Sequence, residues 1–367
     1  MAAASSIAVG TERPPAGYYD QTSFPVLARA FIEVSDQAKS QGLLGRARWF
    51  YLLVGGAVGA GLLGSLAGLV LLGDTWWQLL IAAALGVVLT QVAFLAHEAA
   101  HRQVLLTGPG NDRLARILAA GVVGISYSWW DSKHSRHHAN PNRVGRDPDI
   151  EADTISFLDE EAATATGWRR RLVRHQGWLF FPLLTLEGVN LHVQGIKHLV
   201  GRGEVRGRWL ELALIAGRFL ILLGLVFWLL PWGIAVVFLA VQLAVFGVYM
   251  GASFAPNHKG MPVIDRNAKL DFFSKQVRTS RNVAGGWWAT WLMGGLNYQV
   301  EHHLFPNMPR PHLAKARLIV KGQCERMGVP YTETSLWRSY AIVTSYLNRV
   351  GLAARDPFEC PMHALRR

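Results

Sequence analysis

The chain has 367 residues, 51% of them hydrophobic and 17% charged, with a formal net charge of +12. That length accommodates two water-soluble domains, but the charge is unevenly spread: Asp74 is the only charged residue between Trp49 and Leu95, and Arg218 the only one between Leu212 and Phe254. Apolar stretches that exceed one membrane span of roughly 20 residues exclude an ordinary soluble globule, and scattered basic residues without a recognition motif argue against a nucleic-acid partner.

Residues 1–20, rich in Ala, Ser, Gly and Pro, read as a disordered tail without the basic start and apolar run of a signal peptide. The first long apolar stretch breaks at Gly73-Asp74 and the second at Pro231-Trp232-Gly233, both turn signals. Four transmembrane helices follow, at 49–73, 75–97, 210–230 and 232–254, arranged as two hairpins. Arg46 and Arg48 precede the first, segment 102–208 carries fifteen Lys and Arg, segment 255–367 carries sixteen, and the hairpin turns carry none. With an even number of spans, this bias puts both termini and the middle segment on the cytoplasmic side. The surplus of positive charge also suits an anionic lipid surface and an acidic electron-donor protein. The expected fold is an all-α integral membrane protein of four transmembrane helices under a cytoplasmic helical cap. Residues 1–44 form its tail and lead-in, 45–315 its membrane domain and 316–367 a C-terminal cytoplasmic segment. Cys324 and Cys360 stand alone without a CxxC, so neither a disulfide framework nor an iron–sulfur site is indicated.

Histidine carries the chemistry. His97-Glu98-Ala99-Ala100-His101 closes the second span, and two histidines four apart share one helix face. Alone, H-E-x-x-H reads equally well as a zinc protease motif with Glu98 as base. In the next segment come His134, His137 and His138, where positions i and i+4 converge and His137 lies one neighbour over. His258 follows the fourth span directly, at the depth of the first cluster, and is a candidate further ligand with Asn257 as a water-mediated neighbour. The last cluster is Gln299-Val300-Glu301-His302-His303, with Gln299 in the leading place. An amide is a poor ligand beside imidazoles, so Gln299 reads as a hydrogen bonder that orients an imidazole or a bound water. Three clusters give seven histidines, more than one ion takes, and so point to two metals. All three fall on the same predicted side. His192 reads as a satisfied interfacial residue, and His175, His198, His312 and His363 as solvated.

Asp147 and Asp149 are candidates to hydrogen-bond ligand imidazoles, with ordinary surface-loop chemistry as the alternative. Trp129 and Trp130 before the second cluster, and Trp287, Trp288 and Trp291 before the third, are candidates either for a substrate tunnel or for an interfacial aromatic belt.

In order and spacing over roughly residues 45 to 315, these clusters resemble the three histidine boxes of the integral-membrane fatty acid desaturases. Gln299 in the third box, and the run Glu301-His302-His303-Leu304-Phe305-Pro306, resemble the acyl-lipid and front-end branch, including linoleoyl-type Δ6 enzymes. The resemblance implies a di-iron centre on His97, His101, His134, His137, His138, His302 and His303, with O2 as co-substrate and a fatty acyl lipid or acyl-CoA as substrate. Many front-end enzymes carry a fused cytochrome b5 domain with a His-Pro-Gly-Gly motif. That motif is lacking here, so electrons are expected from a separate ferredoxin-type or cytochrome b5-type donor. Removing hydrogen from an unactivated methylene lies beyond acid–base catalysis and needs a redox metal, which iron is and zinc is not.

Three other outcomes stand beside desaturation. Hydroxylation on the same scaffold would replace the second hydrogen abstraction by oxygen transfer. An intramembrane zinc protease would use His97, Glu98 and His101, yet the later spans supply no Asp as a further ligand and five clustered histidines stay unexplained. A transporter would place ionisable groups mid-membrane, whereas here they gather at one boundary.

Overall fold

A computed structural model describes residues 24–355; the expectations for residues 1–20, Cys360 and His363 lie outside the described residues. The helices are α1 (Phe24–Ser40), α2 (Arg48–Leu71), α3 (Gln78–Ala100), α4 (Gly108–Arg116), α5 (Tyr127–Ala139), α6 (Asp159–Ala163), α7 (Gly167–Arg174), α8 (Gln176–Leu183), α9 (Glu187–Val200), α10 (Arg208–Leu229), α11 (Trp232–His258), α12 (Phe272–Arg278), α13 (Gly286–Leu292), α14 (Gln299–Leu304), α15 (Arg310–Met327) and α16 (Leu336–Leu352). Two short strands, β1 (Arg281–Ala284) and β2 (Thr332–Ser335), pair in parallel.

Among the described residues, α2, α3, α10 and α11 are the four helices long and apolar enough to cross a membrane. Each hairpin turns where the sequence punctuates it. Gly73 takes φ 63° between α2 and α3, a region that costs glycine little, and Pro231 caps the start of α11. The outer helices bury little: 17% of the apolar window of α2 and 11% of that of α10. Leu52, Leu53 and Leu63 on α2, and Leu220, Ile221 and Trp228 on α10, are all exposed. Water does not tolerate an apolar surface that continuous, whereas hydrocarbon does. The chain is a multi-pass membrane protein.

At the centre, α3 packs between α2 and α11. A side chain on Gly86 would start 2.8 Å from the Gln242 carbonyl oxygen of α11, so only glycine permits this approach. Small residues of this kind let helices touch in lipid, where hydrophobicity cannot drive association.

The cap gathers pieces from both ends of the described chain. Leu27 and Val34 of α1 share one apolar core with Val277 of α12, Val300 and Leu304 of α14, and Val320 of α15. Across the boundaries expected at 44 and 315, α1 packs into the cap and residue 315 lies within α15. Beyond it, β2 pairs with β1, and α16 packs on α8 and α11. The molecule is helical as expected, apart from that two-stranded sheet and a π-helical stretch, Ile117–Val123. The wider π turn ends at Gly124 with φ 95°. Arg218, midway along α10, donates from Nε to the Val122 carbonyl at 3.2 Å.

Candidate metal centre

Two long helices bring the first candidate ligands to one end of the membrane bundle. His97 occupies the last turn of α3 and His101 its C-terminal cap, while His258 ends α11, which packs along α3. The second cluster rides on α5. Ser126 caps the start of α5 by accepting from Trp129 N at 3.1 Å, and buried Glu211 of α10 braces that end, accepting from Ser126 Oγ at 2.7 Å and Ser128 N at 3.2 Å. A carboxylate at a helix N-terminus answers its positive dipole end. The third cluster rides on α14, wedged beneath α15 and α12.

The eight histidines sort into two groups. His97, His101, His134, His138 and His302 each offer a ring nitrogen within 4.8 Å of the others, and His137, His258 and His303 do the same in a second group. The sorting follows helix geometry: His134 and His138 face one way from α5, and His137, one residue off that face, turns to the other group. On α14 the neighbours His302 and His303 likewise divide. Within the first group, His134 Nε2 lies 3.1 Å from His97 Nε2 and 2.9 Å from His101 Nε2. In the second, His137 Nε2 lies 3.3 Å from His258 Nε2. The groups abut, since the rings of His138 and His303 stack at 4.2 Å.

The second group is held from behind. His137 Nδ1 donates to Asp147 at 3.0 Å, His258 Nδ1 to the Thr279 carbonyl at 2.8 Å and His303 Nδ1 to Gln276 Oε1 at 2.9 Å. Each tether fixes the tautomer and presents Nε2 inward, the usual support of a metal-ligating imidazole. Asp149 Oδ2 is 3.4 Å from His137 Nδ1, and Asp149 also pairs with Lys133 at 3.0 Å. Both aspartates therefore lie on the outer side of the His137 ring. Gln276 and Thr279 had no signal in the sequence, because neither belongs to a spaced motif. Gln299 directs its Nε2 at His258 Nε2 over 2.9 Å and accepts from Asn257 Nδ2 at 3.1 Å, so both amides stand at the second group.

Burial, and then the crowding of neighbouring rings, holds His134, His138, His302 and His303 well below the usual imidazole range. Burial alone takes His101 down to about 4. His137 is the exception: burial opposes its charge, but Asp149 and Asp147 lift it above the ordinary value. Neutral imidazoles are the form a metal binds. A cation also fits the unmet valences. Nδ1 of His97, both ring nitrogens of His138, and Nε2 of His302 and His303 are buried without a hydrogen-bond partner. Each such orphan costs about 1–3 kcal/mol unless something accepts its lone pair or proton. Neutral imidazole nitrogens crowded on a common point, several of them without a hydrogen-bond partner, suit a transition-metal site.

Glu98 is positioned differently from the base of a zinc protease. Arg310 of α15 grips its carboxylate, with Nε donating at 2.8 Å, and the Tyr51 hydroxyl contacts it at 3.2 Å. Both members of the ion pair are buried. Glu301, inside the third box, also faces away from the metal loci. It accepts from Asn282 at 2.7 Å and Tyr331 at 2.8 Å, and burial pushes it up to about 7.

Of the tryptophans, Trp130 stacks on His134 at 4.4 Å and packs edge-on against His97. Trp129 joins the apolar core of the spans. Trp287, 78% exposed, lies with Trp288 and Trp291 on the surface, a placement that suits an interfacial belt. His192 belongs to neither group and is buried between the carbonyls of Gly188 and Val123.

Comparison with known proteins agrees with this site. The chain is 30% identical over 306 residues to a Delta(8)-fatty-acid desaturase of Helianthus annuus, covering 77% of this chain and 65% of that protein. It is 27% identical over 343 residues to Delta(8)-fatty-acid desaturase 2 of Arabidopsis thaliana, covering 90% and 76%. Against an acyl-lipid (9-3)-desaturase of Borago officinalis it is 29% identical over 286 residues, covering 74% and 63%. The chain thus spans a little under two thirds of the length of two of these three relatives. The sequence model of the fatty acid desaturase family matches residues 74–335, which include every histidine of both groups. The chain belongs to the fatty acid desaturase family, a family of oxidoreductases.

Proposed function

We propose that this protein is an O2-dependent fatty acyl desaturase that inserts a cis double bond into an acyl-lipid or acyl-CoA, at a Δ6- or Δ8-type front-end position. In this reading His97, His101, His134, His138 and His302 hold one iron, and His137, His258 and His303 hold the other. Asp147 and Asp149 support His137, and Gln299 and Asn257 stand beside the second ion. The observation that carries the reading is the pair of abutting imidazole groups at the mouth of an apolar four-helix bundle, with the Glu98 carboxylate held by Arg310. The names of the relatives support the front-end position, since they include Delta(8) and Delta(6) enzymes.

The reaction balances as one saturated –CH2–CH2– unit, O2, two electrons and two protons giving –CH=CH– and two water molecules. Bound iron supplies the oxidising power that removes hydrogen from an unactivated carbon. The chain supplies the rest. Asp147, Thr279 and Gln276 keep three rings in register, and Gln299, a weak ligand, leaves room at the second site. The lipid-facing helices deliver the acyl chain from the bilayer. The Lys and Arg bias puts this face in the cytoplasm, where a soluble protein donates the electrons.

Expression in a host lacking the product tests the reading. Gas chromatography of total lipid should show a new double bond with the parent chain and none with His137→Ala or His303→Ala, both still inserted in the membrane. Purified protein should carry about two irons per chain. One zinc without iron, or a hydroxylated product, would overturn it.

A further inference from the structure

Two open depressions mark the polar surface, and their charges differ. One, of about 750 Å³, is lined by Arg102, Arg113, Arg116 and Arg206 but also by Asp112, Asp131 and Glu204. The other, of about 430 Å³, is lined by Arg143, Arg146, Arg266 and Lys269 together with Phe24, Asn267, Ala268 and Leu270, and holds no carboxylate. Asp265 stands beside it, and the buried carboxylate of Asp271 is occupied in capping α12, accepting from Ser274 N at 2.8 Å. Arg143 donates to the Ala268 carbonyl, a neutral acceptor. Arg146, Arg266 and Lys269 are exposed.

This basic face is joined to the second imidazole group by hydrogen bonds. Its two segments are clasped where Val144 N donates to Ile264 O at 3.0 Å and Ile264 N to Asn142 O at 2.8 Å. Asn142, adjacent to Arg143, donates from its backbone to Asp147 at 2.7 Å, and Asp147 accepts from His137. The Asn142 side chain donates to the His258 carbonyl at 3.1 Å. From the patch, then, one hydrogen bond reaches His258 and two reach His137. No comparable series leads from the mixed-charge depression to that group among the bonds of the described residues.

We propose that the Arg143, Arg146, Arg266 and Lys269 face is the docking surface for an acidic one-electron carrier protein, which delivers electrons to the site of His137, His258 and His303. The inference rests on the proposed function and adds the partner's location. Charge complementarity selects the partner, because a cluster of exposed cations near a redox site steers an acidic protein into contact and sets its orientation. A membrane surface is the other anionic candidate, but none of the large exposed tryptophans that would anchor one lines the depression.

The test uses the full iron-loaded chain in neutral nanodiscs, with an acidic plant-type ferredoxin as probe. Arg146→Glu/Arg266→Glu should weaken ferredoxin binding about tenfold or more at low salt and flatten its salt dependence. Arg146→Gln/Arg266→Gln, which perturbs the surface less, should give a smaller loss of the same sign. Arg113→Glu, in the mixed-charge depression, should leave binding unchanged. Reduction by ferredoxin in stopped flow should slow in step with binding, whereas reduction by dithionite should not change. Unchanged ferredoxin affinity in both double variants would overturn the docking surface even with dithionite-driven turnover intact. Loss of binding to phosphatidylglycerol vesicles with ferredoxin binding preserved would overturn it in favour of lipid. Charge-dependent ferredoxin binding by a protein that makes no product with either reductant would sink the proposed function and leave the docking surface standing.

Discussion

At the scale of single residues, the site is decided by which nitrogen each imidazole keeps free. Asp147 does more than touch His137: it also accepts from the backbone of Asn142 at 2.7 Å and of Asp149 at 2.9 Å, so its carboxylate is fixed before it receives the ring proton. Asp147→Asn keeps the shape and removes the charge, and should lower affinity for the second metal roughly 10- to 100-fold, read as the chelator concentration that strips half the iron. An unchanged midpoint would show that Asp147 does not tune the ligand. Glu98 was legible in the sequence only as part of H-E-x-x-H, which left a protease base open. Its partner Arg310 lies 212 positions away, and no spacing rule reaches that far. Glu98→Gln leaves a buried guanidinium unpaired and should cost about 3 kcal/mol, seen as a lower melting temperature of the solubilised protein. Molecules that stay folded and loaded should keep their activity per iron, whereas a catalytic base would lose it. The box histidines were readable because their spacing is local. Gln276 and Thr279 were not, because each becomes a support only when α12 is laid against α5 and α14.

Among elements, the four spans were legible because hydrocarbon imposes one rule on every residue that faces it. The observed helices begin and end within a few positions of the expected bounds; α11 continues to His258, since its C-terminal turn is held by packing rather than by lipid. The π stretch at Ile117–Val123 and the pair β1–β2 had no such rule behind them. A four-residue strand such as Arg281–Ala284 carries no readable alternation, and its partner is some fifty residues on. The element whose placement matters most is α5, which delivers three histidines to the two imidazole groups. Its start is braced by Glu211, which reaches it from the third span. Glu211→Gln should weaken that brace by about 1–2 kcal/mol. The expected outcome is normal membrane insertion with less iron bound and a lower dissociation temperature for the metal than for the fold. Iron content equal to that of the parent would mean that α5 is seated by packing alone.

For the molecule as a whole, everything turns on ligands from separate hairpins meeting at one membrane face. α3 and α11 each close a hairpin, and each ends at a histidine of the centre, so the two hairpins run in the same sense. The middle segment that carries α5 and the segment that carries α14 must then share a side, and the hairpin turns must share the other. Residues 24–40 join the cap on the ligand side through the core they form with α14 and α15, which the sequence left as a lead-in because an amphipathic helix does not say which neighbour it covers. Single cysteines report the arrangement, with Cys360 replaced and Cys324 already buried. Exposed positions Ser132 and Asn307 should react with a membrane-impermeant maleimide in inside-out vesicles, while Asp74→Cys and Gly233→Cys should react only from the opposite face. On the orientation proposed from the Lys and Arg bias, the first pair is expected in the cytoplasm. Labelling of Ser132→Cys and Asn307→Cys from different faces would separate α5 from α14 by a bilayer of about 30 Å. Neither imidazole group could then assemble, since each draws ligands from both helices.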